Sequence, residues 1–155
     1  MLGTRRLVRI CGMVAAMALV ATGAILATPT NEPTVEGLKA KLASTGVGDK
    51  PHVCVQIAQK QLKEADKFYA AADVEKGNAA LVDVVAYSEL ARDYAIQSHK
   101  YQKQAEIAVR AMTRKLTELT HSLDHDDQPP VKDAISRLQQ VEDDLLKSMF
   151  PKGAK

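Results

Sequence analysis

His121 and His125 stand four residues apart, with Asp124 between them and Asp127 two positions beyond. On a helix that spacing places both imidazoles on one face. Two imidazoles with carboxylates at hand would suit Zn²⁺, Cu²⁺ or Ni²⁺. His121, His125, Asp124 and Asp127 are therefore the candidate metal ligands. The glutamate of an H-E-x-x-H metalloprotease is missing. The same residues serve equally well as a polar helix end, with histidines near a C-terminus and acids capping the next helix. His52 and Cys54 are a second pair of ligand types. Two positions apart, they do not face each other on a helix and would share a metal only in extended chain. No nucleophile motif, glycine-rich phosphate loop or C-x-x-C-H haem signature occurs. Neither a cofactor nor enzymatic activity is expected.

Lys100, Lys103, Arg110, Arg114 and Lys115 form a basic run, opposed locally by Glu106. Such a run would suit a nucleic acid, but Glu142, Asp143 and Asp144 are placed to meet it if the following helix folds back. Interhelical ion pairs would then absorb much of the charge, so no nucleic-acid partner is expected. Tyr69, Tyr87, Tyr94 and Tyr101 fall on or beside apolar seams. They read as core-edge residues with hydroxyls reaching water.

These residues hang on one stretch, 74–123. It holds no proline, and its only glycine is Gly77. Ala80, Val84, Tyr87, Ala91, Tyr94, Ser98, Tyr101, Ala105, Ala108 and Met112 recur at alternating steps of four and three, which is one face of a helix. Unbroken, it would run roughly 75 Å. A first companion at 52–72 carries Val55, Ala58, Leu62, Ala65, Tyr69 and Ala72 at the same spacing. Asp49 and Pro51 mark its start, and Asp73 caps the helix after it. A second companion at 130–149 carries Val131, Ile135, Leu138, Val141, Leu145 and Met149. It comes after the break from Asp124 to Pro130, and Pro151 and Gly153 stop it.

The spacing thus predicts an all-α fold: one long helix with two shorter antiparallel helices packed along it. In the first hairpin Leu62 faces the region of Val85. In the second, Leu145 faces the region of Val109. The alternative is a four-helix bundle, formed if the long helix breaks within 97–104, its most polar part. Gln and Lys are good helix formers, so the unbroken helix is the reading preferred.

A chain of 155 residues suits one domain. Aromatic residues make up 4% and Trp is absent, which suits close-packed helices more than a sheet. Arg5, Arg6 and Arg9 precede an apolar run at 10–27 that ends in small residues, the three-part pattern of a secretory signal. If uncleaved, the same run would anchor the chain with the remainder outside the cytoplasm. The segment holds three of the 21 Lys and Arg and none of the 19 acidic residues, so the remainder carries a net charge of −1. Nothing in that balance points to nucleic acid or an anionic membrane. Residues 28–50 read as a flexible tether, within which Val35 to Ala43 could form a short, marginal helix through Val35, Leu38 and Leu42; 51–150 read as the helical domain and 151–155 as a disordered tail. After the signal Cys54 is the sole cysteine, so it is either buried or available to another chain.

The run YAAADVEKGNAALVDVVAYSELARDY from Tyr69 to Tyr94, the secretory start and the stretch DQPPVKDAISRLQQV together resemble uncharacterised exported helical proteins of bacteria. The resemblance implies a periplasmic or envelope location and supplies no activity. The L-T-x-x-Q element of helical periplasmic chaperones and metal-stress sensors is absent, its nearest approach being Leu116 to Thr120.

The expected function is a non-catalytic exported interaction or scaffold protein. It would engage a protein partner or a second copy through helix packing, and meet a membrane only through an uncleaved N-terminal segment. A periplasmic metal-binding or metal-sensing protein, using His121 and His125, is one alternative. A chaperone-like binder of unfolded clients is another.

Overall fold

The computed structural model describes residues 32–151. The expected signal at 1–27, the start of the expected tether and most of the expected tail lie outside the described residues. The described residues form five α-helices: α1 Val35–Ser44, α2 Lys50–Ala70, α3 Val74–Ser98, α4 Gln102–Ser122 and α5 Gln128–Met149. A 3₁₀ turn, His125–Asp127, leads into α5. The all-α class is as the spacing predicts, and the chain takes the four-helix alternative.

The long helix is broken within 97–104. His99 and Tyr101 both adopt left-handed backbone, at φ 54° and 60°. Neither glycine nor proline marks the site. Ser98 donates its hydroxyl to the Tyr94 carbonyl and accepts the Lys100 amide, which satisfies groups the ended helix leaves free. The Tyr101 carbonyl opens α4 by accepting the Ala105 amide at 2.8 Å. The Tyr101 ring stacks on His52 with centroids 5.7 Å apart, and its hydroxyl donates to Asp49. Tertiary contact with the start of α2 thus holds a turn that local propensity alone would leave helical.

The break folds α4 back, and cross-helix pairs fix the directions. Tyr69 to Asn78 and Gln61 to Asp83 make α2 and α3 antiparallel. Gln102 to Ser148 and Arg110 to Glu142 do the same for α4 and α5. Tyr101 to Asp49 and Lys115 to Asp66 set α4 parallel to α2. Glu89 to Arg137 and Arg92 to Asp144 set α5 parallel to α3. Two antiparallel hairpins therefore lie side by side. They close more fully along α3–α5 than along α2–α4.

The core joins both hairpins. Leu62 and Tyr69 from α2, Val84 and Val85 from α3, Val109 and Leu116 from α4, and Leu138 and Leu145 from α5 are buried in it. Alanines at 58, 65, 91, 95 and 105 let the helix axes approach closely. Met149, expected on the α5 seam, is half-buried, and Ala72 is exposed. Ala72 adopts left-handed backbone at φ 59° in the position after the α2 C-cap. There its amide meets the Tyr69 carbonyl and the Asp73 amide the Phe68 carbonyl, which ends the helix. Asp73 then caps α3 as expected, accepting the Lys76 amide. Asp49 occupies the N-cap position of α2 without making the capping bond.

The expected tether is shorter than 28–50, because α1 is a packed helix. Thr34 caps it by accepting the Gly37 amide at 3.1 Å. Leu38 is 1% exposed and packs with Val53 and Ile57 in a second apolar cluster. Lys39 pairs with Asp83 on α3 at 3.2 Å. Helix α2 therefore buries two faces, one toward the bundle and one toward α1.

Gly77 sits where α3 passes the Tyr69 ring. A Cβ there would lie 2.9 Å from the ring. A helical Gly→Ala change usually stabilises by about 1 kcal/mol, but overpacking a buried ring costs roughly 1–3 kcal/mol. Gly77→Ala is expected to destabilise by about 1–2 kcal/mol in urea unfolding. In a Tyr69→Leu background the sign should reverse. If Gly77→Ala stabilises the unaltered protein, the ring contact is not what retains glycine there.

Candidate functional site

The metal-ligand candidates are not brought together. Helix α4 ends at Ser122, and Leu123 and Asp124 are extended. His121 lies on the last turn of α4 and His125 in the 3₁₀ turn, so their four-residue spacing no longer places them on one helix face. The His125 ring lies 3.8 Å from Asp126, and both side chains are fully open to water. Asp127 is half-buried, and its charge adds to the effect of burial on Tyr69. Among the described residues no three His, Cys, Asp or Glu side chains converge on a common point.

His52 and Cys54 diverge as their spacing requires. Cys54 is fully buried, and burial pushes its thiol up to about 11. The thiolate needed for nucleophilic attack or metal binding is thereby suppressed. His52 is exposed and stacks on Tyr101. The buried hydroxyls are also committed: Ser88, Thr113 and Thr120 each donate to the carbonyl four residues back on their own helix. Tyr69 is buried with its hydroxyl on Asn78. Tyr87, Tyr94 and Tyr101 sit at the core edge, the first two under the ammonium groups of Lys39 and Lys50.

The basic run is partly neutralised in the way the folded-back helix implied. Arg110 donates to Glu142 on α5 at 3.0 Å and also pairs with Glu106, a carboxylate only 5% exposed. The Glu142 hydrogen bond first, and the Glu106 charge second, hold the Arg110 guanidinium above its ordinary value. Lys115 pairs with Asp66 across to α2. Lys103 and Arg114 make no ion pair among the described residues.

What the sequence did not locate is a groove along the looser α2–α4 edge. It has a volume of about 540 Å³. Leu62, Ala111 and Met112 give it apolar lining, with Gln59, Lys63 and Lys115 on its sides. Glu32 and Lys60 close one end with an ion pair at 3.0 Å. The Gln56 side chain also lines it, and its amide oxygen is buried with no hydrogen-bond partner among the described residues. On α4, Ile107 lies one turn before Ala111 and is 53% exposed. Once the expected long helix breaks, the open line falls between two parallel helices from different hairpins.

Of the charged residues that line the groove, Lys60 pairs with Glu32 and Lys115 with Asp66, and Lys63 makes no ion pair among the described residues. A groove between helices is the geometry in which an amphipathic helix can dock. Among the described residues no helix is long and apolar enough to cross a membrane. Comparison of the chain with protein-family models, with characterised proteins and with solved structures returns no match.

Proposed function

We propose that this chain is a non-catalytic helical interaction protein of the cell envelope, with the α2–α4 groove as its working surface. The observation that carries the reading is the groove itself: about 540 Å³ of partly apolar space between two helices that the bundle could have closed. A partly apolar groove in the surface of a folded domain supports a contact site, and Leu62, Ala111 and Met112 supply its apolar lining. The N-terminal arginines and apolar run support export to the envelope. The commitment of the buried hydroxyls and of Cys54 supports a binding role over a catalytic one.

A photo-crosslinking residue at Lys63, inside the groove, tests this in the cells that make the protein. The control is the same residue at Lys132, on the exposed face of α5. Protein adducts are expected at position 63 and not at 132. No adduct at 63, or equal adducts at both, would remove the reading.

A further inference from the structure

The end of the bundle where α2 and α4 begin differs from the rest of its surface, and we propose that it docks on an anionic lipid leaflet. This face is separate from the α2–α4 groove. The hydrogen bonds from Tyr101 to Asp49 and from Gln102 to Ser148 bring the starts of α2 and α4 together with the end of α5. Lys50, Lys100 and Lys103 stand there, and Lys41 and Lys147 lie in the last turns of α1 and α5. Lys41, Lys50, Lys100 and Lys103 make no ion pair among the described residues. Lys147 comes only to 3.9 Å from Asp144, and its side chain is 71% exposed. Within one turn of this end Asp49 is the sole acidic residue among those described.

Large apolar side chains face water at the same end. Phe150, just past α5, is 71% exposed, and Val47, in the link before α2, is 43% exposed. Lysines around exposed apolar side chains are the combination that binds an anionic interface. The opposite end has the reverse character. Glu75, Glu118, Asp124, Asp127 and Asp133 make no ion pair there, and among the described residues no large hydrophobic side chain is exposed beside them. The net charge of −1 outside the N-terminal segment hides this separation.

Lysines attract any polyanion, and the rest of the face selects lipid. The acidic end of a second copy would meet Phe150 and Val47 with carboxylates and no apolar partner. A leaflet takes them up at its acyl boundary while its phosphates meet the lysines. The lysines come from different helix ends and spread across a face, whereas a binder of single-stranded nucleic acid aligns its charge along a groove. The acidic end lies roughly 35 Å back along α3. That is several times the screening length of about 10 Å at about 0.1 M salt, so the leaflet does not repel it. Each lysine near an anionic leaflet strengthens binding roughly fivefold.

Phe150→Trp in the full chain tests this, because the sequence has no tryptophan and emission then reports on one position. Vesicles of equal parts phosphatidylglycerol and phosphatidylcholine, at about 0.1 M salt, should shift that emission to shorter wavelength. Lipids brominated on their acyl chains should quench it. Phosphatidylcholine vesicles alone should do neither. Val82→Trp, an exposed position on the flank of α3, should report no shift with either vesicle. Adding Lys100→Glu/Lys103→Glu to Phe150→Trp should weaken the vesicle titration by at least about 25-fold. Both lysines are exposed, and circular dichroism confirms that each variant remains folded. No shift at position 150, equal shifts with neutral vesicles, equal shifts at position 82, or an unchanged titration in the lysine variant would overturn the proposal. So would single-stranded DNA that binds as tightly as the vesicles and is lost in the same variant, which would assign the face to nucleic acid. Every outcome leaves the groove reading to its own crosslinking test.

Discussion

Leu138→Ala is expected to destabilise the protein by about 3 kcal/mol, read as a lower urea midpoint for a single cooperative transition. Leu138 is fully buried and packs in the core shared by both hairpins. Its truncation loses transfer free energy and leaves a cavity that close-packed helices fill poorly. The informative comparison is Leu38→Ala. Leu38 is equally buried, but in the smaller cluster that docks α1. Its loss of global stability is capped by the free energy with which α1 docks, because beyond that point α1 opens alone. Amide exchange across 35–44 should quicken, while exchange in α3 and α5 changes less. Equal global losses from the two substitutions would show that α1 folds as one unit with the bundle.

Raising the pH is expected to remove on the order of 2–4 kcal/mol of stability between pH 9 and 12 through two buried groups, after allowance for solvent screening. Burial lifts the Cys54 thiol from 9.0 to about 11. Burial first, and the Asp127 charge second, lift the Tyr69 hydroxyl from 10.0 to about 12. In both cases the unfolded chain loses its proton first. Above pH 9 it therefore binds fewer protons than the folded chain, and stability falls as pH rises. Each shift is worth roughly 1–2 kcal/mol once solvent screening is allowed for. The Cys54 contribution is lost from about pH 9 to 11 and the Tyr69 contribution from about pH 10 to 12. Lys39, held above its ordinary value chiefly by its hydrogen bond to Asp83, works in the same direction as it deprotonates. Urea unfolding at pH 8 and pH 11 separates the terms. Cys54→Ala should lose markedly less stability over that interval than the unaltered protein. Identical losses would show that Cys54 does not contribute.

The parts of the fold legible in the sequence are those that side-chain chemistry punctuates. Asp73 marks the α2–α3 turn because its carboxylate accepts an amide that a starting helix leaves free. Pro129 and Pro130 mark the start of α5 because they forgo an amide the first turn does not need. The pairing of Arg110 with Glu142 came from hairpin register. The break at 99–101 was illegible as the preferred reading because His99, Lys100 and Tyr101 are all compatible with a helix. What decides it is distant in sequence: the His52 ring and the Asp49 carboxylate that receive Tyr101. Helix α1 was underestimated for a related reason. Its apolar residues are few, and Leu38 gains its stabilisation only from Val53 and Ile57 on another helix.

The candidate site depended on the same break. With the long helix unbroken, His121 and His125 were the only clustered chemistry in view. The end of α4 at Ser122 separates them. The groove could not be placed without knowing that α4 runs parallel to α2, a relation that local spacing does not encode.

His99 and Tyr101 hold left-handed backbone that costs a non-glycine residue roughly 1–2 kcal/mol each. Straightening that connection would release the cost. Within one chain the release is far outweighed, because it pulls the second hairpin off the first and bares the shared core. The Tyr101 contacts with His52 and Asp49 add to that balance, so the strained connection is the latch that keeps the two hairpins folded on each other.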